Sequence, residues 1–127
     1  MKLRSTAPVF LVADVGATMR WYETNLGFKG SGWPEKPPHA FGIMVRDDVE
    51  IMLQALPGYE KPDLYEKRAG GVWNVYVRMK GVRELYDAVR NRAEVTIIEE
   101  LCPQPYGEIH FIMRDLNGYV LVFGEPM

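Results

Sequence analysis

The chain is poor in the residues that usually announce chemistry. Among its 127 residues there is one cysteine, Cys102, and there are two histidines, His39 and His110. A lone thiol forms no internal disulfide, so a reducing, cytoplasmic home is expected. Met1 is followed by Lys2 and Arg4 rather than by an apolar signal core, and no run approaches the roughly 20 apolar residues of a membrane helix. The net charge of −2, with both signs interspersed, leaves no electrostatic footprint for nucleic acid or for a membrane surface. Neither partner is expected.

What is present is an internal repeat. A β-type run leads into an amphipathic helix and then into further strands twice, about residues 1–65 and again about 66–127. With 47% hydrophobic residues the chain suffices for one core and is short for two ordinary domains, so a single α+β domain of two repeats is expected.

In the first repeat, Pro8–Ala13 reads as a buried strand and Asp14 as the cap of a helix over Val15–Asn25. Val15, Met19 and Tyr22 form its apolar stripe, flanked by Trp21 and Leu26, and Gly27 closes it. Gly30–Pro38 is expected to hold no regular element. His39–Val45 and Glu50–Leu56 then read as a hairpin about Arg46–Asp47–Asp48, and Pro57–Gly70 as a polar linker. The second repeat predicts strands over Trp73–Met79, Glu94–Ile98, Glu108–Met113 and Tyr119–Phe123, with a helix over Val82–Asn91. Asn117-Gly118 marks a hairpin turn in which both residues tolerate a left-handed backbone.

Val12-Ala13-Asp14-Val15, Trp21-Tyr22 and Leu26-Gly27-Phe28 in the first half resemble a known pattern. So do Leu85-Tyr86, Pro105-Tyr106-Gly107, Phe111 and Arg114-Asp115-Leu116-Asn117-Gly118 in the second. In this order they resemble the vicinal oxygen chelate superfamily of glyoxalases, bleomycin-resistance proteins, fosfomycin-resistance enzymes and extradiol dioxygenases, over nearly the whole chain. The resemblance implies two tandem βαβββ modules forming a cupped, partly closed mixed sheet around a pocket, usually in a homodimer.

Members with metal chemistry place His or Gln near the start of each module's first strand and a carboxylate on its last. By spacing these positions fall near Ala7, Met52, Asn74 and Val122, where no imidazole or carboxylate stands. A catalytic divalent ion needs three or four such ligands converging on one point. A one-residue slip of any of these strands supplies none, whereas a two-residue slip brings in only Glu50 or Gln54. Glu108 and His110 share a strand face and could supply two ligands. The expected state is metal-free, with a divalent metal as the alternative.

Alternation places Val9, Leu11, Glu50, Gln54, Tyr76, Arg78 and Val120 on the inner face with the mapped positions. This is an apolar bowl with a few polar groups, as small-molecule sites are usually built. Arg78 needs an anion, either a ligand carboxylate or phosphate or else Glu50 or another acidic residue near the rim. Trp33, in the Pro-rich loop, is a candidate lid, or packs on a sheet edge or dimer partner. Tyr106 can donate to a ligand or shape its turn. Trp21, Tyr22 and Tyr86 read as core, Asp14 as a helix cap, and Cys102, before Pro103 in a loop, as an inert thiol.

Two readings follow. The first is a metal-independent binder of a small hydrophobic or aromatic ligand, in contact with Met52, Gln54, Asn74, Tyr76, Arg78, Tyr106, Val122 and Trp33. The second is a lyase, isomerase or dioxygenase with a relocated metal, or with acid–base catalysis by Glu50, Tyr76, Glu108 or His110.

Overall fold

The computed structural model describes residues 1–127. The chain divides into two compact units, Met1–Glu60 and Lys61–Met127. No helix is long and apolar enough to cross a membrane.

The first unit is built from β1 (Val9–Val12), α1 (Val15–Leu26), β2 (Lys29–Trp33), β3 (Phe41–Arg46) and β4 (Val49–Ala55). Its four strands lie in the order β1-β4-β3-β2, with β1 parallel to β4 and the other pairs antiparallel. Asp14 caps α1 as its sequence position predicts, Oδ1 accepting from the Ala17 amide at 3.0 Å. Gly27 ends the helix at φ 67°, a left-handed conformation that glycine adopts without penalty. The helix buries Val15, Thr18, Trp21, Tyr22, Asn25 and Leu26. Phe10, Val12, Ile51 and Leu53 are buried with them, while Val9 and Met52 lie on the less buried face of their strands.

Strand β2 corrects the expectation that Gly30–Pro38 holds no regular element. It pairs along its whole length with β3, from Lys29 opposite Val45 to Trp33 opposite Phe41. Its glycines provide clearance rather than turns. A Cβ on Gly30 would stand 2.8 Å from Met19 Sδ and one on Gly32 would overlap the His39 ring; on the neighbouring β3, one on Gly42 would stand 2.8 Å from Val15 Cγ1.

The second unit comprises α2 (Leu64–Arg68), β5 (Val75–Arg78), α3 (Val82–Val89), β6 (Thr96–Pro103), β7 (Glu108–Arg114) and β8 (Val120–Pro126). The strand order is β5-β8-β7-β6, with β5 parallel to β8, so β8 is a central strand and is buried on both faces from Val120 to Phe123. On the face toward α3, Tyr86 packs on Phe111 at a centroid distance of 5.1 Å and Phe111 stacks on Phe123 at 5.4 Å. Glu125 caps α3, one carboxylate oxygen accepting from the amides of Gly81 and Val82, each at 3.0 Å.

Three further expectations are corrected here. The span Pro57–Gly70 is not all linker, since it contains α2. Strand β6 runs on to Pro103, which places Cys102 in a strand; two register shifts between Ile97 and Cys102 break the alternation that would have shown it. Pro103 is tolerated because β6 is an edge strand. In the 115–119 turn only Gly118 is left-handed, at φ 88°. Asp115 shapes that turn by accepting from the amides of Asn117 at 2.8 Å and Tyr119 at 2.9 Å.

Candidate functional site

The face of the second sheet that points away from α3 carries a connected polar network. Strand pairing sets it out: Tyr76 on β5 lies beside Val122 and then Ile112, while Arg78 lies beside Gly124 and then His110. Tyr76, Arg78, Glu108 and His110, which alternation assigns to one face, are therefore neighbours.

Glu108 is the hub. Its Oε1 accepts from the Tyr76 hydroxyl at 2.9 Å, and its Oε2 accepts from Arg78 Nε at 3.0 Å. Arg78 Nη2 also stands 3.0 Å from that oxygen. Arg78 thus finds its anion inside the unit, in Glu108 rather than Glu50. The guanidinium lies 5.1 Å from the Tyr76 ring centroid.

Beyond Tyr76 the network continues through Tyr106, whose hydroxyl is 3.4 Å from that of Tyr76 and 2.8 Å from His110 Nδ1. Trp73 contacts both Tyr76 and His110, at centroid distances of 5.5 and 5.8 Å.

The electrostatics fix the protonation states. Burial pushes the Glu108 carboxyl up, but the hydrogen bonds from Arg78 and Tyr76 outweigh it and hold the group below the ordinary glutamate value. Burial raises the Tyr76 phenol, assisted by its hydrogen bonds to Tyr106 and Glu108. Burial lowers His110, against the opposing pull of Glu99 and Glu108. Near neutral pH the site therefore holds the Glu108 carboxylate, the Tyr76 phenol and an uncharged His110 imidazole. An ionised Glu108 accepts only, so the Tyr76 proton is committed to it.

Gly124 makes the arrangement possible. A Cβ there would lie 2.5 Å from the Tyr76 hydroxyl oxygen and 2.9 Å from Cζ, so the phenol lies against bare backbone.

The remaining sequence-derived candidates occupy other places. Glu50, Met52, Gln54 and Trp33 share one face of the first sheet: Met52 sits between Val9 and Ile43, Gln54 between Leu11 and Phe41, and Trp33 beside Phe41. Trp33 belongs to strand β2 and not to a flexible loop, which corrects its placement. Asn74 Oδ1 accepts from the Val120 amide at 2.8 Å, which ties the start of β5 to β8. Val122 is fully buried in an apolar cluster with Ile112 and Val120.

Sequence reasoning missed Trp73, which lies just outside β5 where alternation does not apply, and Gly124. The Gly124 signal was available, because a glycine inside a strand marks a close approach and it lies two residues after Val122.

No group of three or more His, Cys, Asp or Glu side chains comes together as metal ligands. Glu108 and His110, the pair flagged by sequence, already spend both carboxylate oxygens and Nδ1 on Tyr76, Arg78 and Tyr106. This donor set does not fit a resident divalent ion.

The model of the Glyoxalase/Bleomycin resistance protein/Dioxygenase superfamily matches residues 5–123. The chain belongs to that superfamily. The resemblance read from the sequence is thereby borne out, as is the α+β fold of two βαβββ modules.

Solved structures agree on this superfamily's fold. A glyoxalase-related enzyme from Clostridium phytofermentans superposes with a TM-score of 0.73 at 16% identity, over 100% of this chain and 98% of that one. TioX from Micromonospora sp. ML1 gives 0.72 at 19% identity, over 97% and 100%. A bleomycin-binding protein from Streptomyces verticillus, complexed with copper(II)-bleomycin, gives 0.67 at 18% identity, over 97% and 96%. No curated protein matches the chain.

Proposed function

We propose that this superfamily member is a metal-independent binding module that holds a small hydrophobic or aromatic ligand against the ring cluster of its second unit, as a cytoplasmic homodimer. The observation that carries the reading is the state of the Tyr76–Glu108–Tyr106–His110 network. Its polar heads are satisfied by one another, and although His110 is buried, the rings of Tyr106 and of the adjoining Trp73 remain open, 51% and 41% exposed. Such a group offers π-surface for stacking and few unspent acids or bases. Arg78, its side chain 66% exposed beyond Glu108, adds a donor for a polar substituent. The exposed free thiol of Cys102 fits a reducing compartment. That a relative in fold is a bleomycin-binding protein supports binding without naming this chain's ligand.

The test is a thermal-shift screen of small aromatic compounds on untagged protein, with metal content measured by plasma mass spectrometry before and after chelation. Binding that survives chelation, is stoichiometric and leaves the ligand unaltered supports the proposal. Stoichiometric retained metal, or ligand consumption, would sink it. Sedimentation velocity tests the homodimer.

One observation favours an enzyme instead. His110, uncharged and 2.8 Å from the Tyr106 hydroxyl, is a base poised beside a phenol, suited to proton transfer in a metal-free lyase, isomerase or oxygenase. That reading requires turnover that falls as His110 becomes protonated.

A further inference from the structure

The apolar cluster on the same sheet face is covered by Tyr65. Ile112, Val120 and Val122 are all but fully buried, and Tyr65, Tyr76 and Ile98 pack on them. The Tyr65 ring is recognised on three sides. Aliphatic side chains lie against it, the Arg114 guanidinium carbon stands 5.5 Å from its centroid, and its hydroxyl donates to Glu99 Oε2 at 2.5 Å. Burial, then the Glu99 hydrogen bond, raise this phenol to about 12, so it keeps the proton it donates.

Each of these contacts is one that a free phenol would make. The element that delivers Tyr65 is lightly attached. Helix α2 has five residues, none of them buried. Apart from Tyr65, it is tied to the sheet by ion pairs from Arg114 Nη2 to Asp63, just before the helix, at 3.2 Å and to Glu66 at 3.4 Å, whose carboxylates are more than half exposed. Arg114 itself is only 20% exposed, but pairs whose carboxylate partner is solvated hold weakly. Three consecutive positive-φ residues follow the helix, Ala69 at 60°, Gly70 at 101° and Gly71 at 74°, and the two glycines supply a ready hinge.

We propose that the Ile112–Val120–Val122 floor, with Arg114 and Glu99, is a phenol-binding site that Tyr65 occupies as a built-in ligand, and that a free phenolic compound takes its place when α2 swings out. The inference rests on the reading of the chain as a binder of small aromatic ligands and narrows their class to phenols. Because the site must open first, the affinity of the intact protein is reduced by the fraction of molecules in which α2 is open.

The probe is p-cresol, the side chain of tyrosine cut free at Cβ, titrated by calorimetry against the intact protein and Tyr65→Ala. Toluene, which lacks the hydroxyl, is the control. Tyr65→Ala binds p-cresol roughly tenfold or more tightly than the intact protein does, and binds it more tightly than toluene, since only p-cresol can donate to the Glu99 carboxylate as the Tyr65 hydroxyl does. In the intact protein, p-cresol speeds tryptic cleavage after Lys67 and Arg68, and Tyr65→Phe, which keeps the ring packing, lowers the concentration needed.

Failure of Tyr65→Ala to bind p-cresol overturns the proposal. So does binding by Tyr65→Ala with neither binding nor faster cleavage in the intact protein, because Tyr65 is then a fixed part of the core. Should Tyr65→Ala not fold, the cleavage assay on the intact protein and Tyr65→Phe decides alone. Aromatic ligands that perturb Trp73 and Tyr106 while p-cresol leaves α2 unmoved would overturn this inference and leave the proposed function standing; the converse pattern would overturn the placement of ligands on the Trp73–Tyr106 rings.

Discussion

Tyr76 reaches Glu108 only because Gly124 has no side chain. The phenol lies across β8 so closely that a methyl group on Gly124 would stand 2.5 Å from its oxygen, and that oxygen is 2.9 Å from the Glu108 carboxylate. A strand glycine thus determines the position of a hydroxyl at the centre of the network.

Gly124→Ala is therefore expected to expel the Tyr76 ring and cut its hydrogen bond to Glu108. Overpacking of this kind costs about 1–3 kcal/mol. The helical content of the fold is expected to survive. Urea unfolding gives the loss, and the Gly124→Ala/Tyr76→Phe double variant checks the mechanism. If Tyr76 is the group displaced, the two losses are not additive.

Acid should destabilise the protein in two stages. His110 has a folded pKa below its ordinary value, so between about 6.5 and that lower value the unfolded chain binds a proton that the folded chain refuses. Stability falls as pH drops through this window. Glu108 is also depressed, and its contribution, complete above about 4.3, is lost as pH falls through its lower folded value. His110→Gln should flatten the first stage of a pH series of unfolding curves and Glu108→Gln the second. Unchanged slopes would contradict the assigned protonation states.

Asp115 should matter more than an ordinary turn residue. It is buried and accepts two backbone amides, from Asn117 and Tyr119, at the entry to β8. Asp115→Ala leaves those donors without this partner, for a loss of about 1–3 kcal/mol each where no water replaces it. Chemical denaturation reads the loss, and faster amide exchange at Asn117 and Tyr119 localises it.

Much of the architecture was legible because it rests on short-range signals. Asp14 and Gly27 bracket α1, and alternation places Tyr76, Arg78, Glu108 and His110 on one face, where the structure finds them. The failures occur where such signals are interrupted. Gly30 and Gly32 look like loop residues, since a sequence does not show that a helix and the His39 ring press against them. The bulges around Glu99 destroy the period of two, which hid both the length of β6 and the carboxylate that receives Tyr65. Arg78 could be seen to need an anion, but choosing between Glu50 and Glu108 required the pairing of β5, β8 and β7.

The most direct test of metal-independent binding is a proton–nitrogen NMR titration of untagged protein with an aromatic ligand from the screen, in excess chelator. The account predicts saturable shifts at the Trp73 indole and at the amides of Tyr76, Tyr106 and His110, with ligand signals unchanged over time. Shifts that vanish under chelation and return only with added metal, or ligand signals that convert to product, would contradict it.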